Sequence, residues 1–148
     1  MRAASAARST PNARCVESQT TYYLADLPKL LPPTQDSYLR TLDAAEPKLD
    51  EIFSRLAQKE GGAAVIHCVI GRDRAGLITA LVLLALGVPE DRVLDDFEQN
   101  QDSRVGTSRR WLSGVLARSE QAGGIEAYLR AHGVTDAQLA TLRARALD

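Results

Sequence analysis

HCVIGRDRAG, residues 67–76, lies between a short apolar run and a longer one. Residues 63–66 read AAVI, which is typical of a strand, and the apolar run from Leu77 to Leu86 is typical of a buried helix. A tight turn between a strand and a helix directs backbone N–H groups at the helix N-terminus, where anions bind. The stretch therefore predicts an anion cradle at a strand–turn–helix junction.

Two side chains of this stretch have the chemistry to act on a bound phosphate. The positive field of a helix N-terminus stabilises a thiolate, so Cys68 is predicted to be a nucleophile at neutral pH. Arg74 can direct two N–H donors at two phosphate oxygens. The predicted phosphate-binding residues are Val69, Ile70, Gly71, Arg72, Asp73 and Arg74.

Other kinds of loop fit the residues less well. Gly71 and Gly76 have the spacing of a Walker phosphate-binding loop, but Leu77 and Ile78 stand where that loop needs Lys and Ser or Thr. Rhodanese-like and arsenate-reductase-like proteins share the spacing from Cys to Arg, but usually lack the preceding His and the glycine pattern. A structural alternative is a buried Cys at a strand end, followed by solvent-facing arginines.

The cysteines and histidines predict no metal site. Cys15, Cys68, His67 and His132 show no zinc-ligand spacing. A protease-like pair of Cys68 with His132 is the less favoured alternative, because His132 precedes Gly133 as the last turn of a helix does. His67 is predicted to be a core histidine that supports the loop rather than a general base.

The pattern His-Cys-x-x-Gly-x-x-Arg-x-Gly resembles the signature loop of the cysteine-dependent tyrosine and dual-specificity phosphatases. An Asp directly before the Arg resembles one bacterial and fungal branch, described as tyrosine-phosphatase-like, with phosphoinositide activity in some members. Three later segments also resemble that branch: LGVPE at 86–90 followed by DDF with Asp96 at 95–97, GGIEAYLR at 123–130, and GVTD at 133–136. The resemblance runs from about Thr21 to Asp148.

This resemblance implies phosphomonoester hydrolysis through a cysteinyl-phosphate, on a phosphotyrosine or dual-specificity protein substrate or a phosphoinositide, without a cofactor. In the wider class an upstream Asp donates the proton to the leaving group. Asp36 matches that place by its distance along the chain, but it also fits a helix N-cap. Asp73, inside the cradle, either donates the proton or braces Arg72 through an ion pair. These two candidates rank level, and Asp26 ranks below them.

Three positions differ from the family loop. Arg72 replaces a Lys, Ile70 replaces a small residue, and Ala75 replaces a Ser or Thr whose hydroxyl donates to the cysteine sulfur. Losing one hydrogen bond to a charged group costs about 1.5–3 kcal/mol. The second step, in which sulfur leaves as a thiolate, is therefore predicted to be slow. The alternative function is a phosphate- or phosphoinositide-binding module with weakened catalysis.

The composition predicts one domain without a strong overall field. The 148 residues include 18 basic and 19 acidic ones, so nucleic acid is not an expected partner. No apolar run reaches the roughly 18 residues of a membrane span. Two cysteines predict a reducing, cytoplasmic location without a disulfide framework, and secretion is not excluded. Arg104, Arg109 and Arg110 either line a pocket for an acidic head group or, as we prefer, form a solvated helix start.

The predicted fold class is α/β, a parallel sheet flanked by helices with a helical C-terminal half. Residues 1–19 are predicted to be a disordered tail and residues 20–148 a single phosphatase-like domain. Strands are predicted only over Thr20–Leu24 and residues 63–66, so the chain looks N-terminally shortened. Either further strands lie in residues 1–20, or a second copy of the chain completes the sheet, or the fold is marginal. Helices are predicted over 36–45, from 47, and over 75–86, 89–99, 109–120, 125–132 and 136–147.

Overall fold

The computed structural model describes residue 27 and residues 32–58, 64–99 and 108–147. These residues form seven α-helices and one short 3-10 helix. In chain order they are α1 (Gln35–Ala45), the 3-10 helix (Glu46–Lys48), α2 (Leu49–Leu56), α3 (Asp73–Ala85), α4 (Glu90–Gln99), α5 (Arg109–Gln121), α6 (Ile125–Ala131) and α7 (Asp136–Leu147).

The described residues contain no strand. Residues 64–68, where a strand was expected to enter the loop, have no regular secondary structure. The other predicted strand, Thr20–Leu24, and the predicted tail over residues 1–19 lie outside the described residues. The parallel sheet, and its completion by a second copy of the chain, therefore stay predictions.

The helices of the C-terminal half confirm the predicted ones. α4 to α7 begin and end within one residue of the expected positions. α3 begins two residues earlier than expected, because the Gly76 N–H already donates to the Arg72 carbonyl at 2.9 Å. Asp73 and Arg74 consequently belong to the first turn of α3, where backbone N–H groups have no partner inside the helix.

The N-cap of α1 is Thr34, so the prediction that Asp36 caps this helix is wrong. The Thr34 backbone is extended, and its side-chain oxygen accepts from the Ser37 N–H at 3.1 Å. The Ser37 hydroxyl in turn lies 2.8 Å from the Thr34 N–H, which it binds as in a capping box. Asp36 therefore lies inside the first turn, where it is exposed to solvent.

α3 is the central helix of the described residues. It is apolar on all sides, and Leu77, Ile78, Leu81 and Ala85 are fully buried. It contacts α1, α4 and α6, while α1 packs most extensively against α5. The predicted buried core helix is thus confirmed, and the loop before α3 is placed by this packing.

Arginines of α7 bind the C-terminal ends of two other helices. Arg143 Nε donates to the Ala85 carbonyl at 2.8 Å, at the end of α3. Arg145 Nη1 donates to the carbonyls of Leu56 at 2.9 Å and Gln58 at 2.6 Å, at the end of α2. Cations are favourable at helix C-termini, because the last carbonyls are unpaired and carry partial negative charge.

None of the described helices has both the length and the apolar character needed to cross a membrane.

Gly76 allows α3 to approach α4 closely. A Cβ at this position would lie 3.0 Å from the Phe97 ring, which is buried and packed edge-on against the Tyr38 ring at 5.7 Å. Ala is the better helix former by about 1 kcal/mol, but overpacking a core typically costs about 1–3 kcal/mol. We therefore expect Gly76→Ala to lower the free energy of unfolding by about 1 kcal/mol, measured by urea denaturation.

The control is the same substitution in a Phe97→Leu background, where the ring is gone. There Gly76→Ala should raise the free energy of unfolding instead. Stabilisation of the same size in both backgrounds would contradict the close approach.

Candidate active site

The loop before α3 directs backbone donors at the sulfur of Cys68. Gly71 has a φ of 77°, a left-handed conformation that favours glycine, and its N–H lies 3.2 Å from Cys68 Sγ. The backbone N–H groups of Ile70 and Ala75 also donate to this sulfur. Ala75 is the third residue of α3, so its N–H is one of the donors left unpaired at a helix N-terminus.

These donors determine the acidity of the Cys68 thiol. Burial alone raises the pKa of this half-buried thiol. Hydrogen bonds from the backbone of Ala75, Gly71 and Ile70, together with the positive charge of Arg74, outweigh burial and hold the pKa below its ordinary value. A lower pKa means a larger thiolate fraction at neutral pH, and the thiolate is the nucleophilic form.

Ala75 contributes to the site through its backbone. Its methyl side chain offers no hydroxyl to the sulfur, as the sequence shows, but its N–H is the strongest of the donors that lower the pKa of Cys68. The predicted slow release of the sulfur in a second step stays a prediction. It depends on the absence of a side-chain hydroxyl that would donate to the sulfur in addition to the Ala75 N–H.

The Asp73 carboxylate accepts hydrogen bonds from three donors. Arg72 donates through Nε at 2.9 Å to one oxygen and through Nη2 at 3.0 Å to the other. The Tyr38 hydroxyl, on α1, donates at 2.7 Å to the oxygen that Nε also binds. The ion pair between Asp73 and Arg72, one of the two roles considered for Asp73, is therefore present in the structure.

Aromatic side chains from three helices surround this ion pair. The Tyr38 ring packs against Phe97 of α4 and against Trp111 of α5, with the Trp111 centroid 6.0 Å away. The guanidinium carbon of Arg72 lies 6.0 Å from the Trp111 ring centroid, at the outer limit of a cation–π contact. Arg72 is only 5% exposed as a result.

Arg74 is also buried, at 8% exposure, and its Nη1 donates to the Leu27 carbonyl at 3.3 Å. The structural alternative of solvent-facing arginines is therefore wrong for both arginines of the loop. The apolar side chains of the loop take the solvent side instead, since Val69 is 85% exposed and Ile70 61%.

His67 is exposed, so the prediction of a core histidine is wrong. It belongs to the irregular residues 64–68, of which Ile66 and Cys68 pack against the core, and its Nδ1 lies 3.3 Å from the carbonyl oxygen of the neighbouring Cys68.

His132 lies in a different cluster. Its Nδ1 is 2.8 Å from the Tyr128 carbonyl, and its Nε2 is 3.4 Å from a carboxylate oxygen of Glu46. The Tyr128 hydroxyl donates to the other oxygen of Glu46 at 2.9 Å. Both ring nitrogens of His132 thus face partners other than Cys68, and the alternative of a Cys68–His132 pair is wrong.

The structure does not bring Asp36 to the loop. Asp36 is exposed on α1, two residues before Tyr38, and side chains two positions apart on a helix do not face the same way. Asp96 is exposed on α4, beside the buried Phe97. Asp26 and Arg104 lie outside the described residues.

Arg109 is engaged by acidic residues of α4. Its Nη2 donates to Asp95 at 3.0 Å and to Glu98 at 2.8 Å. The hydrogen bond from Arg109 holds the pKa of Glu98 below its usual range. Arg109 and Arg110 are exposed at the start of α5, which agrees with the preferred interpretation of a solvated helix start.

No group of three or more His, Cys, Asp or Glu side chains in the described part of the chain is arranged to hold a metal ion.

Sequence reasoning missed Tyr38. The α1 pattern identifies Tyr38 as an apolar, inward-facing residue, and a buried tyrosine hydroxyl generally needs a partner. That rule predicts a hydrogen bond without naming its acceptor, which lies 35 residues further along the chain.

Comparison with known proteins identifies the family. The model of the tyrosine phosphatase family matches residues 17–148, nearly the whole chain. The chain belongs to this family, and the expectation drawn from the loop is confirmed.

Two characterised proteins are similar to the chain. A tyrosine-protein phosphatase of Nostoc commune is 27% identical over 154 residues, which cover 81% of this chain and 52% of that protein. The triple specificity protein phosphatase PtpB of Mycobacterium tuberculosis is 28% identical over 95 residues, 64% of this chain and 31% of that protein. The chain thus spans about half the length of the first relative and less of the second. No solved structure is significantly similar to it.

The amide donors predict an acidic thiol. In a Cys15→Ser background, where Cys68 is the remaining cysteine, the rate of alkylation by iodoacetamide should rise with pH to a midpoint below the value of about 8.5 for free cysteine. Arg74→Gln should move the midpoint upward, because a charge that favours the thiolate is lost. A midpoint at or above that of free cysteine would contradict the role of the amides.

Proposed function

We propose that the chain hydrolyses phosphomonoesters through a phosphate bound covalently to Cys68, and that its substrate is a phosphoprotein, with phosphotyrosine first. The observation that supports this most directly is that the Cys68 sulfur faces backbone amides of the loop and of the first turn of α3, which hold its pKa below the ordinary value of a thiol. The same amides are the donors that a phosphoryl group needs.

In the first step the Cys68 thiolate attacks phosphorus, a sulfur–phosphorus bond forms, and the bond from phosphorus to the ester oxygen breaks. The leaving oxygen takes a proton from an acid. In the second step water attacks phosphorus and gives a proton back to the conjugate base of that acid, the sulfur–phosphorus bond breaks, and inorganic phosphate and the thiolate are released. Charge spreads over the three non-bridging oxygens in both steps, and fixed amides there stabilise the transition state.

Arg74 is the proposed charge partner of the phosphoryl group. It lies on the first turn of α3, and its charge already acts on Cys68. A guanidinium can bind two phosphoryl oxygens at once, which an ammonium cannot. Its hydrogen bond to the Leu27 carbonyl orients the side chain before substrate binds.

The similar proteins support the choice of substrate. One is named a tyrosine-protein phosphatase and the other a triple specificity protein phosphatase. A phosphoprotein substrate is common to both names, whereas a phosphoinositide is supported only by the resemblance of the loop.

A second candidate is a phosphate-binding module with little turnover. It is favoured by the engagement of both loop arginines within the protein, Arg72 with Asp73 and Arg74 with Leu27. The two candidates differ in the hydrolysis of a chromogenic aryl phosphate, which the module would bind but not cleave.

Cys68→Ser should abolish hydrolysis of an aryl phosphate, by roughly a thousandfold or more, because the nucleophile is lost. Phosphate binding, measured by calorimetry, should persist in this variant. Cys15→Ser is the matched control and should keep wild-type turnover. Residual turnover of more than a few per cent in Cys68→Ser would exclude the mechanism, and phosphate binding without turnover in the wild type would favour the module.

Asn substitutions should separate the candidate acids. The variant that lacks the true donor loses the basic limb of the pH–rate profile and most of its rate on esters with poor leaving groups. We expect neither Asp73→Asn nor Asp36→Asn to lose the limb, because both oxygens of Asp73 already accept hydrogen bonds and Asp36 is exposed on α1, away from the loop. Asp26→Asn is then the variant expected to lose the limb, and loss of the limb in Asp73→Asn or Asp36→Asn would contradict this ranking.

A further inference from the structure

Tyr38 connects the helical core to the reactive loop. It lies on α1, where its ring is fully buried, and its hydroxyl reaches the Asp73 carboxylate at the first residue of α3. Asp73 is paired with Arg72, which precedes it in the loop. One hydroxyl on α1 therefore binds the segment that connects the Gly71 amide to the Ala75 amide, both of which donate to the sulfur.

The Asp73 carboxylate accepts every hydrogen bond that it makes with Tyr38 and Arg72. A guanidinium has no acceptor atom, so the two bonds from Arg72 require lone pairs on both carboxylate oxygens. The Tyr38 hydroxyl remains a donor, since burial first, then its hydrogen bond to Asp73 and the negative charge of that group raise the pKa of Tyr38 far above its ordinary value. The charge of Cys68 adds to this rise and that of Arg72 opposes it.

We propose that Tyr38 is a positioning residue of the reaction: its hydroxyl holds the Asp73 carboxylate on the Arg72 guanidinium, and this clamp fixes the loop amides that face Cys68. The clamp comprises Tyr38, Asp73 and Arg72. Its part in catalysis rests on the function proposed above, whereas its effect on the thiol does not. Within the clamp Asp73 serves as an acceptor and not as the proton donor.

The chain contains a matched control for Tyr38. Tyr128 is also buried, and its hydroxyl also donates to a carboxylate, that of Glu46, at 2.9 Å. The Glu46 cluster also contains His132 and Arg118 and includes no residue of the loop. Phe at either position removes one such hydrogen bond and keeps the ring, so the two variants should lose similar stability and differ only in what the hydroxyl positions.

The test compares Tyr38→Phe with Tyr128→Phe in the Cys15→Ser background. For Tyr38→Phe we expect the midpoint of Cys68 alkylation to rise by about one pH unit, which is a tenfold smaller thiolate fraction at pH values well below the midpoint. The acidic limb of kcat/KM for an aryl phosphate should move with it, and the basic limb should stay. Tyr128→Phe should leave both profiles unchanged, with a similar loss of the free energy of unfolding in urea.

An unchanged alkylation midpoint in folded Tyr38→Phe would overturn the proposal, as would an equal shift in Tyr128→Phe. Should Tyr38→Phe not fold, Asp73→Glu gives the same readout, because it keeps the charge and displaces the carboxylate by one methylene, and an unchanged midpoint there overturns the proposal too. In the double variant Tyr38→Phe/Asp73→Glu the shifts should not add, because both substitutions break one clamp. Absence of any phosphatase turnover would refute the proposed function alone, since alkylation requires no turnover.

Discussion

The half-buried sulfur of Cys68 depends on backbone amide donors, of which the loop supplies Ile70 and Gly71 and the first turn of α3 supplies Ala75. An anion that is removed from water loses its favourable interactions with the solvent. Flexible side chains that replaced the water would lose conformational entropy when they became ordered around the anion. Backbone N–H groups of the first turn of α3 are already held by the helix and have no other partner within it. How α3 packs against α1, α4 and α6 therefore determines the chemistry of the loop.

Burying the ion pair of Arg72 and Asp73 next to the loop costs free energy, because two charges lose their solvent. Both side chains are almost fully removed from solvent, and desolvation of two charges can exceed their mutual attraction. Removing one partner from a buried pair typically costs about 3–5 kcal/mol, because the other charge is left uncompensated. The Tyr38 hydroxyl and the Trp111 ring reduce that cost, and they also restrict where the pair can lie.

Much of this architecture could be predicted from local signals in the sequence. Apolar periodicity and glycine stops such as Gly87 and Gly133 placed the later helices, and the loop motif identified Cys68. The motif could not show that Tyr38 would bind Asp73, because that contact depends on how two helices pack. The N-cap of α1 was assigned to Asp36 instead of Thr34, since both are good caps and only the backbone conformation decides between them. His67 was predicted to be a core histidine that supports the loop, but it is exposed, because Ile66 and Cys68 on either side of it are the residues that pack against the core.

Because of the hydrogen bonds from α7, the smallest part of the chain that folds around Cys68 has to include α7. Arg143 binds the carbonyl end of the helix whose amide end faces Cys68, and Arg145 does the same for α2. A fragment chosen by the loop motif and its flanking helices, and ended before Asp136, would leave both carbonyl ends without these cations. The two helices would then fray from ends that lie far from the loop in sequence. The helices around Cys68 thus depend on α7, which the loop motif does not reveal.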